Sequence, residues 1–553
     1  MIIAMKIALG QYDPVVGDIR GNVLRMAEFI DRAAGAGARL VVFGELSVVG
    51  YPPRDLLRKE QFIADSVAAV EELAKRCSGV SALVGLVRQT PGATGRPLQN
   101  AAAVLSDGRV CQVHVKTLLP TYDVFDETRY FEPGGPPRCI EVDGLRIGLS
   151  ICEDLWDAEA LGRRLYGSDP VSMLAADGAE VIINMAASPY QMGKARSREE
   201  LFARQAKRCG AAIVQVNQVG GNDELVFDGA SCVISADGQV IARARSFEED
   251  LLVVDLSGPA QRVEELGEEL PRLSGALKLG LRDYVHKCGF GSVVLGLSGG
   301  IDSAVVAVLA ADALGPQNVH TLAMPGRYSS DHSLADAKAL ARRLGVSCRV
   351  APIEGVHAAY EDAAEGLLAG GETKVVWENI QARIRGDLIM ASSNALGHLS
   401  LATGNKSELS TGYCTLYGDM CGGLAPIGDV YKTMVYKLAE QLNSEASGRR
   451  IGENILAKAP SAELKPNQTD QDNLPPYDLL DDILWRYIEE DKTGKQIIEE
   501  GFDSGVVNRV VEMVDAAEYK RRQAAPVLKV TGRAFGTGRR MPIAQRYVSP
   551  ERL

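Results

Sequence analysis

The amino-acid sequence predicts an α/β protein of two domains, a layered α/β/β/α sandwich over residues 1–256 and a doubly wound parallel sheet over residues 271–553. Three observations predict it. In the first half strand-like and helix-like stretches alternate, and the turn signals Ser106-Asp-Gly108 and Ala236-Asp-Gly238 set hairpins among the crossovers. In the second half strands and helices follow one another as βαβ units do, which requires parallel strands. Between the halves, residues 257–270 are polar and acidic with an early Gly258-Pro259, and the strand pattern lapses as in a linker. Length agrees, because 553 residues at about 150 per domain exceed one core and suggest two to four units.

Short apolar runs place strands at Ile7–Gln11, Leu40–Phe43, Ala82–Val87, Ala101–Leu105, Val110–Val115, Arg146–Ile151, Val181–Met185, Ile213–Val216, Ala230–Ile234 and Leu251–Val254. Longer stretches between them place helices at Ile19–Ala36, Phe62–Arg76, Pro170–Ala176 and Arg196–Cys209. Hairpins mixed with crossovers fit two mixed sheets face to face with helices outside. After the linker come helix Ser274–Cys288, strand Ser292–Leu297, helix Ala304–Leu314, strand Val319–Met324, helix Asp331–Leu344 and strand Ser347–Ile353. Helices from Glu354 and from Trp377 then lead to strand Ser400–Thr403. Ligands of such a sheet gather at the carboxyl ends of its strands.

Sixty basic against seventy-two acidic side chains leave a net charge of −12, which opposes long-range attraction to nucleic acid or to an anionic membrane. No run approaches the roughly 18 apolar residues of a membrane helix. The apolar start, Met1 to Leu9, is too short for a signal peptide, so a cytoplasmic protein is expected. Ten cysteines are scattered without Cys-x-x-Cys spacing, which reads as reduced thiols and not as a disulfide framework or zinc site.

The hexapeptide Ser298-Gly-Gly-Ile-Asp-Ser303 lies between a strand and a helix and lacks the lysine of a Walker motif. Its glycines let the backbone approach an anion, while the serine hydroxyls and the helix N–H groups donate to phosphate oxygens. Asp302 is placed to hold magnesium. The pattern points to enzymes that split ATP between its α and β phosphates, with Gly296, Leu297, Ser298, Gly299, Gly300, Ile301, Asp302 and Ser303 as the nucleotide stretch.

In the first half three polar residues each stand where a strand stops: Glu45, Lys116 and Cys152. A thiolate attacks an amide carbon, and an ammonium at about 4 Å favours it by about 4 kcal/mol at an effective dielectric of 20. Glu45 competes for the same cation and can carry the thiol proton to the departing amine, while Lys116 can face the oxyanion. None of the six histidines lies in the Cys152 segment.

The segments around these residues, Gly44-Glu-Leu-Ser-Val-Val-Gly-Tyr-Pro-Pro53, Lys116-Thr-Leu-Leu-Pro120 and Ile151-Cys-Glu-Asp-Leu-Trp156, resemble the catalytic segments of the nitrilase superfamily of carbon–nitrogen hydrolases. Its Glu, Lys and Cys map onto Glu45, Lys116 and Cys152. The resemblance implies that Tyr122, Ser188 and Lys194 bind glutamine, with Lys194 standing where some relatives carry an arginine and so offering no bidentate fork. Glu127 reads either as a partner that orients Lys116 or as an ordinary surface acid.

The second half resembles NAD synthetase over nearly its whole length. The matching segments are Glu378-Asn-Ile-Gln-Ala-Arg-Ile-Arg385, the twenty-two residues from Ala402 to Gly423, and Lys465-Pro-Asn-Gln-Thr-Asp-Gln-Asp472. This resemblance implies an ATP pyrophosphatase domain of the adenine nucleotide alpha hydrolase type. Thr403 then contacts ATP, Asp302 and Glu408 reach Mg2+, and Asn379, Glu408 and Lys520 lie near deamido-NAD.

Together the resemblances imply a glutamine-dependent NAD synthetase: a ligase and amidotransferase of NAD biosynthesis whose glutaminase half releases ammonia. The synthetase half adenylates deamido-NAD with ATP, releasing pyrophosphate, and ammonia displaces AMP. Small-molecule substrates, no nucleic acid, no membrane and a homo-oligomer of open subunit number are expected. Two other readings compete. A tRNA-modifying adenylase shares the phosphate loop but sits badly with the acidic balance, and a non-catalytic nucleotide sensor would have no use for Cys152, Lys116 and Glu45 together.

Overall fold

The computed structural model describes residues 5–547 apart from 93, 259–260, 370, 372–373 and 447. Pro259 and Ala260 of the expected linker, and Met1 to Ala4 of the apolar start, therefore lie outside the described residues. The chain divides into two compact units, residues 1–268 and 269–553.

The first unit holds β1 (Lys6–Gln11), α1 (Ile19–Gly35), β2 (Leu40–Val42), α2 (Glu60–Ala74), β3 (Ser81–Gln89), β4 (Leu98–Ser106) and β5 (Arg109–Val115). It continues through β6 (Ile140–Val142), β7 (Leu145–Ile151), α3 (Pro170–Ala176), β8 (Val181–Ala186), α4 (Lys194–Cys209), β9 (Ala212–Asn217), β10 (Val219–Asn222), β11 (Leu225–Asp228), β12 (Cys232–Ile234), β13 (Val240–Arg243) and β14 (Asp250–Asp255). Two six-stranded sheets form, ordered β14-β1-β2-β3-β4-β5 and β13-β12-β9-β8-β7-β6, with β10 and β11 as a separate ribbon.

Side chains alternate across each strand, so every strand serves two layers. Ile7, Leu9, Leu40 and Val42 meet Ile147, Leu149, Ile183 and Val214 in a core between the sheets. Ala8 and Val41, one residue out of phase, pack with Met26, Phe29, Ile63 and Val70 of α1 and α2. On the far side Ile182 and Ile213 pack with Val171 of α3 and Leu201 and Phe202 of α4. This is the expected α/β/β/α sandwich. Strands β6, β10, β11 and β13 were not among the predicted runs. All are three or four residues long, too short for alternation to declare itself.

Part of the segment read as a linker is not free chain. Gln261 N–H donates to Ile241 O at 2.8 Å, Arg243 N–H to Arg262 O at 2.9 Å and Glu264 N–H to Arg243 O at 3.2 Å, so residues 261–264 run along β13.

In the second unit α5 (Glu269–Lys287) leads into β15 (Val293–Gly296), α6 (Ile301–Leu314), β16 (Val319–Ala323), α7 (Asp331–Leu344), β17 (Ser347–Val350), α8 (Glu354–Ala364), α9 (Lys374–Leu396) and β18 (Leu399–Leu401). Shorter helices follow: α10 (Lys406–Thr411), α11 (Lys432–Ser444), α12 (Glu453–Ala457), α13 (Tyr477–Ile488), α14 (Gly494–Glu499), α15 (Ser504–Ala516) and α16 (Glu518–Arg521). The four strands are parallel and ordered β17-β16-β15-β18, so the chain reverses its winding between β15 and β18. That reversal opens a crevice beside the end of β15. β17 stops at Val350, before Pro352, which has no N–H to give a ladder. No helix among the described residues is long and apolar enough to cross a membrane.

Candidate active sites

The sandwich brings Glu45, Lys116 and Cys152 together from the ends of β2, β5 and β7, all buried. Lys116 Nζ donates to Glu45 Oε1 at 2.7 Å and lies 2.8 Å from both oxygens of Glu127. Asn100 Nδ2 also donates to Glu45 Oε1 at 2.7 Å, and Ala187 N–H to Glu45 Oε2 at 3.3 Å. Tyr51 O–H donates to Glu127 Oε1 at 3.0 Å. Glu127 is thus the partner that orients Lys116, not a surface acid.

Cys152 follows β7 with a φ of +44°, a left-handed conformation rare for a side-chain-bearing residue. The turn is held by Asp154, whose carboxylate accepts from the N–H groups of Ile151 (3.0 Å), Thr117 (3.1 Å) and Leu118 (2.7 Å), locking the Cys152 and Lys116 segments to each other. Burial and the charge of Glu45 push the thiol pKa well above its usual range, and Lys116 opposes them. The balance between Lys116 and Glu45 that the sequence left open thus falls, with burial, on the side of the thiol, and Cys152 needs a base when it attacks. Burial and Glu45 raise the Glu127 carboxyl to about 7 against the pull of Lys116. His114 is buried with its pKa lowered to about 4, outside this network.

Beside the nucleophile, Glu153 is a buried carboxylate raised by desolvation. Tyr122 O–H lies 2.9 Å from both its oxygens and Tyr166 O–H 2.9 Å from Oε1. Lys194, the first residue of α4, donates to Pro189 O at 3.1 Å and lies over the Trp156 ring at 5.5 Å. Ser188 is buried, its N–H donating to Asn217 Oδ1 at 2.8 Å. Asn217 Nδ2 donates in turn to Asp228 Oδ1 at 3.2 Å, and Asp228 pairs with the buried Arg198 of α4 at 3.1 Å. One polar network therefore ties Ser188 to the helix that begins with Lys194.

In the second unit the 298–303 stretch wraps the end of β15. Gly299 has a φ of +80°, and a Cβ there would lie 2.3 Å from Ser333 O, so only glycine fits. Ser298 Oγ and Ser303 Oγ are 3.1 Å apart, and Gly300 N–H donates to Ser298 Oγ at 3.2 Å. α6 begins at Ile301 and not at Ala304, which sets Asp302 and Ser303 in its first turn. A cavity of about 280 Å³ opens here, lined by Gly296, Leu297, Ser298, Gly300, Ile301, Asp302, Ser303, Thr403 and Glu408 among others.

Lys432 bridges the two carboxylates of that wall, donating to Asp302 Oδ2 and lying 3.7 Å from Glu408 Oε1. Asn405 Nδ2 donates to Asp302 Oδ1 at 2.9 Å. Burial and the neighbouring Asp302 raise the Glu408 carboxyl to about 8, opposed by Lys432. Asn379 and Lys520 are not among the described residues lining the cavity. Asn379 accepts from Thr415 Oγ1 at 2.9 Å, and Lys520 donates to Gly412 O at 2.7 Å and Cys414 O at 2.8 Å, so both fasten the 412–415 segment.

A carbon–nitrogen hydrolase family model matches residues 6–264 and an NAD synthase model residues 273–524. The chain is 45% identical over 552 residues to the glutamine-dependent NAD(+) synthetase of Synechocystis, covering 98% of this chain and 99% of that one. It is 41% identical to the Thermotoga maritima protein of the same description, covering 99% of each. The chain belongs to the glutamine-dependent NAD(+) synthetases. The solved structure of the Acinetobacter baumannii glutamine-dependent NAD+ synthetase in complex with ADP superposes with a TM-score of 0.78 at 39% identity, covering 98% of both chains. As in other glutamine-dependent NAD(+) synthetases, a nitrilase-type glutaminase domain precedes an NAD synthase domain, and the enzyme is a carbon–nitrogen ligase of NAD biosynthesis that uses ATP as a substrate.

Several residues of this glutamine-dependent NAD(+) synthetase escaped the sequence reading. Asn100, Tyr166 and Lys432 carry no motif of their own, and folding alone sets them beside named residues, whereas Glu153 and Asn405 lie within the matching segments but were given no role. For Glu153 the adjacent Cys152 was a usable signal.

Proposed function

We propose that the glutaminase half, residues 1–256, hydrolyses glutamine at Cys152 and that the synthetase half, residues 271–553, uses the ammonia to amidate adenylated deamido-NAD. The observation that carries this reading is the buried cluster in which one lysine is shared by Glu45 and Glu127 next to Cys152. Glu45 takes the thiol proton as sulfur attacks the amide carbon and gives it to the leaving amine. Lys116, fixed by two carboxylates, faces the oxyanion. Around the substrate, Lys194 meets the α-carboxylate and Glu153 the α-ammonium, with Tyr122 and Ser188 shaping the pocket. Water then releases glutamate from the thioester.

In the synthetase half the N–H groups at the start of α6 and the Ser298 and Ser303 hydroxyls receive ATP phosphates, Thr403 contacts the nucleotide, and Glu408 faces the deamido-NAD side, where Asn379 and Lys520 act by fastening the 412–415 segment whose Tyr413 and Cys414 line the cavity. Among the described residues no group of three or more His, Cys, Asp or Glu side chains is gathered as for an all-protein metal site. Two hard carboxylates beside a phosphate loop instead fit Mg2+, which binds through one or two carboxylates plus substrate phosphates. Asp302 and Glu408 would hold it. The ion would supply positive charge between two anionic reactants. Lys432 holds these carboxylates in register.

None of the ten cysteines of the sequence forms a disulfide, which fits a reducing compartment, the cytoplasm. A homo-oligomer completes the reading, and sedimentation of the purified chain measures it. The deciding assay supplies deamido-NAD, ATP and amide-labelled glutamine and follows products by mass. Labelled NAD with equimolar AMP and pyrophosphate is expected; formation of ADP and no AMP would rule the adenylation reading out.

A further inference from the structure

Arg385 of α9 lines the same cavity. It lies in the segment Glu378 to Arg385, yet neither the phosphate loop nor the carboxylate wall uses it. Its Nε donates to Met324 O at the carboxyl end of β16, at 3.1 Å. That anchors it beside the phosphate loop, because Gly296, the last residue of β15, packs between Met324 and Ile389, the latter one turn further along α9.

Among the described residues no carboxylate makes an ion pair with Arg385, and its Nη groups have no protein acceptor. The acids that act on it from a distance are Glu463 and Asp419. Both are engaged elsewhere. Glu463 Oε1 accepts from Lys458 Nζ (2.8 Å), Ser333 Oγ (2.8 Å) and Ser330 Oγ (3.1 Å), and Asp419 accepts the Thr415 N–H at 2.7 Å. Arg198, which is buried, shows the usual arrangement, with Asp228 against its guanidinium. A guanidinium stays charged in a protein, and one that is half-buried in a cavity wall with no protein counter-ion leaves its edge open to an incoming anion. Partial desolvation accordingly pulls the Arg385 pKa below its usual range.

We infer that Arg385 contacts substrate in the adenylation step, its free guanidinium edge gripping an anionic oxygen of the reactants, either an ATP phosphate or the carboxylate of deamido-NAD. This rests on the reading that the cavity is where the two meet. The planar fork suits a bidentate oxygen pair, which a lysine cannot match. As the carboxylate attacks the α-phosphorus and pyrophosphate departs, negative charge crowds between the two reactants, and a fixed cation there lowers the barrier.

The test uses the full chain with ammonium as nitrogen donor, so that glutamine chemistry does not enter, and compares Arg385→Met and Arg385→Lys with the wild type. Arg385→Met should lower kcat/KM about 100-fold, the loss of a charge-assisted hydrogen bond pair. Without ligands it should melt close to the wild type, since no protein counter-ion is lost, and saturating ATP or deamido-NAD should raise its melting midpoint less. Arg385→Lys should recover only part of the rate. A raised KM for ATP assigns the oxygen to the nucleotide phosphate, and a raised KM for deamido-NAD assigns it to the carboxylate. The inference falls if Arg385→Met stays within about threefold of the wild type for both substrates, or if it melts lower without ligand and Arg385→Lys restores stability and rate together. Failure of the underlying reading looks different: the wild type itself then forms no AMP.

Discussion

Replacing Glu127 by Gln keeps the side chain's shape and removes half of the negative charge on which Lys116 rests. Both Glu127 oxygens lie 2.8 Å from Lys116 Nζ, and one also accepts from Tyr51. An amide offers one acceptor oxygen in place of two, and its NH2 group repels an ammonium. Losing one charge-assisted hydrogen bond costs about 1.5–3 kcal/mol, a slowing of about 10- to 150-fold where the contact persists in the transition state. Thiol acidity runs the other way. The Glu127 charge raises the Cys152 pKa, so Glu127→Gln makes the thiol more acidic, and a rate governed by thiolate supply would rise.

The pH profile separates the two effects. Glu127 is raised from an ordinary value of 4.5 to about 7, so the native protein holds a proton that the unfolded chain has released between those values. Its contribution to stability is fully present at low pH and is lost as pH rises through about 7, whereas its grip on Lys116 strengthens over the same interval. The assay is glutamate release from glutamine across the neutral range, beside ammonium-driven NAD formation as a control. The wild type should lose glutamine-driven activity on the acid side of about 7, and Glu127→Gln should be slower and lack that limb. A variant as fast as the wild type, or one retaining the same acid limb, would refute the assignment.

Cys152→Ala should abolish glutamine-driven NAD formation and leave ammonium-driven formation within about twofold, read by parallel assays with the two nitrogen donors; equal loss of both contradicts the division of labour. Gly299→Ala must move the Ser333 carbonyl and adopt a left-handed backbone costing about 1–2 kcal/mol, so it should raise the KM for ATP and lose the thermal stabilisation that ATP gives, while glutamine hydrolysis persists. Asp228→Ala strands the buried Arg198 charge and should destabilise the first unit by about 3–5 kcal/mol, measured by denaturant unfolding, with a raised KM for glutamine because Asn217 and Ser188 lose their anchor.

Legibility in the sequence followed locality. The phosphate loop is contiguous and its helix starts within three residues of the expected position, because strand, glycine turn and helix N-terminus are all encoded in one short stretch. Helices α3 and α7 match residue for residue, each opened by a capping side chain, Asp169 or Ser330. Glu45, Lys116 and Cys152 were readable one at a time, since each terminates an apolar strand. What surrounds them was less so, because Asn100 and Tyr51 meet the Glu45 and Glu127 carboxylates only once the chain has folded, and Glu127 stood between two readings until then. The protonation state of Cys152 depended above all on burial, which no local sequence pattern shows. Ribbon β10 and β11 escaped because strands of four residues, one of them half glycine, show neither period.

The backbone pairing of residues 261–264 with β13 bears on how the gene can be cut. β13 is the outermost strand of its sheet, and those residues occupy its free side. A fragment ending at Leu256 would bare the Ile241 carbonyl and the Arg243 amide and carbonyl as a sticky template for other chains, and such edges nucleate aggregates. Stopping at Glu268 keeps the border covered, so an insoluble shorter fragment would report a missing hem and not an unfoldable glutaminase half.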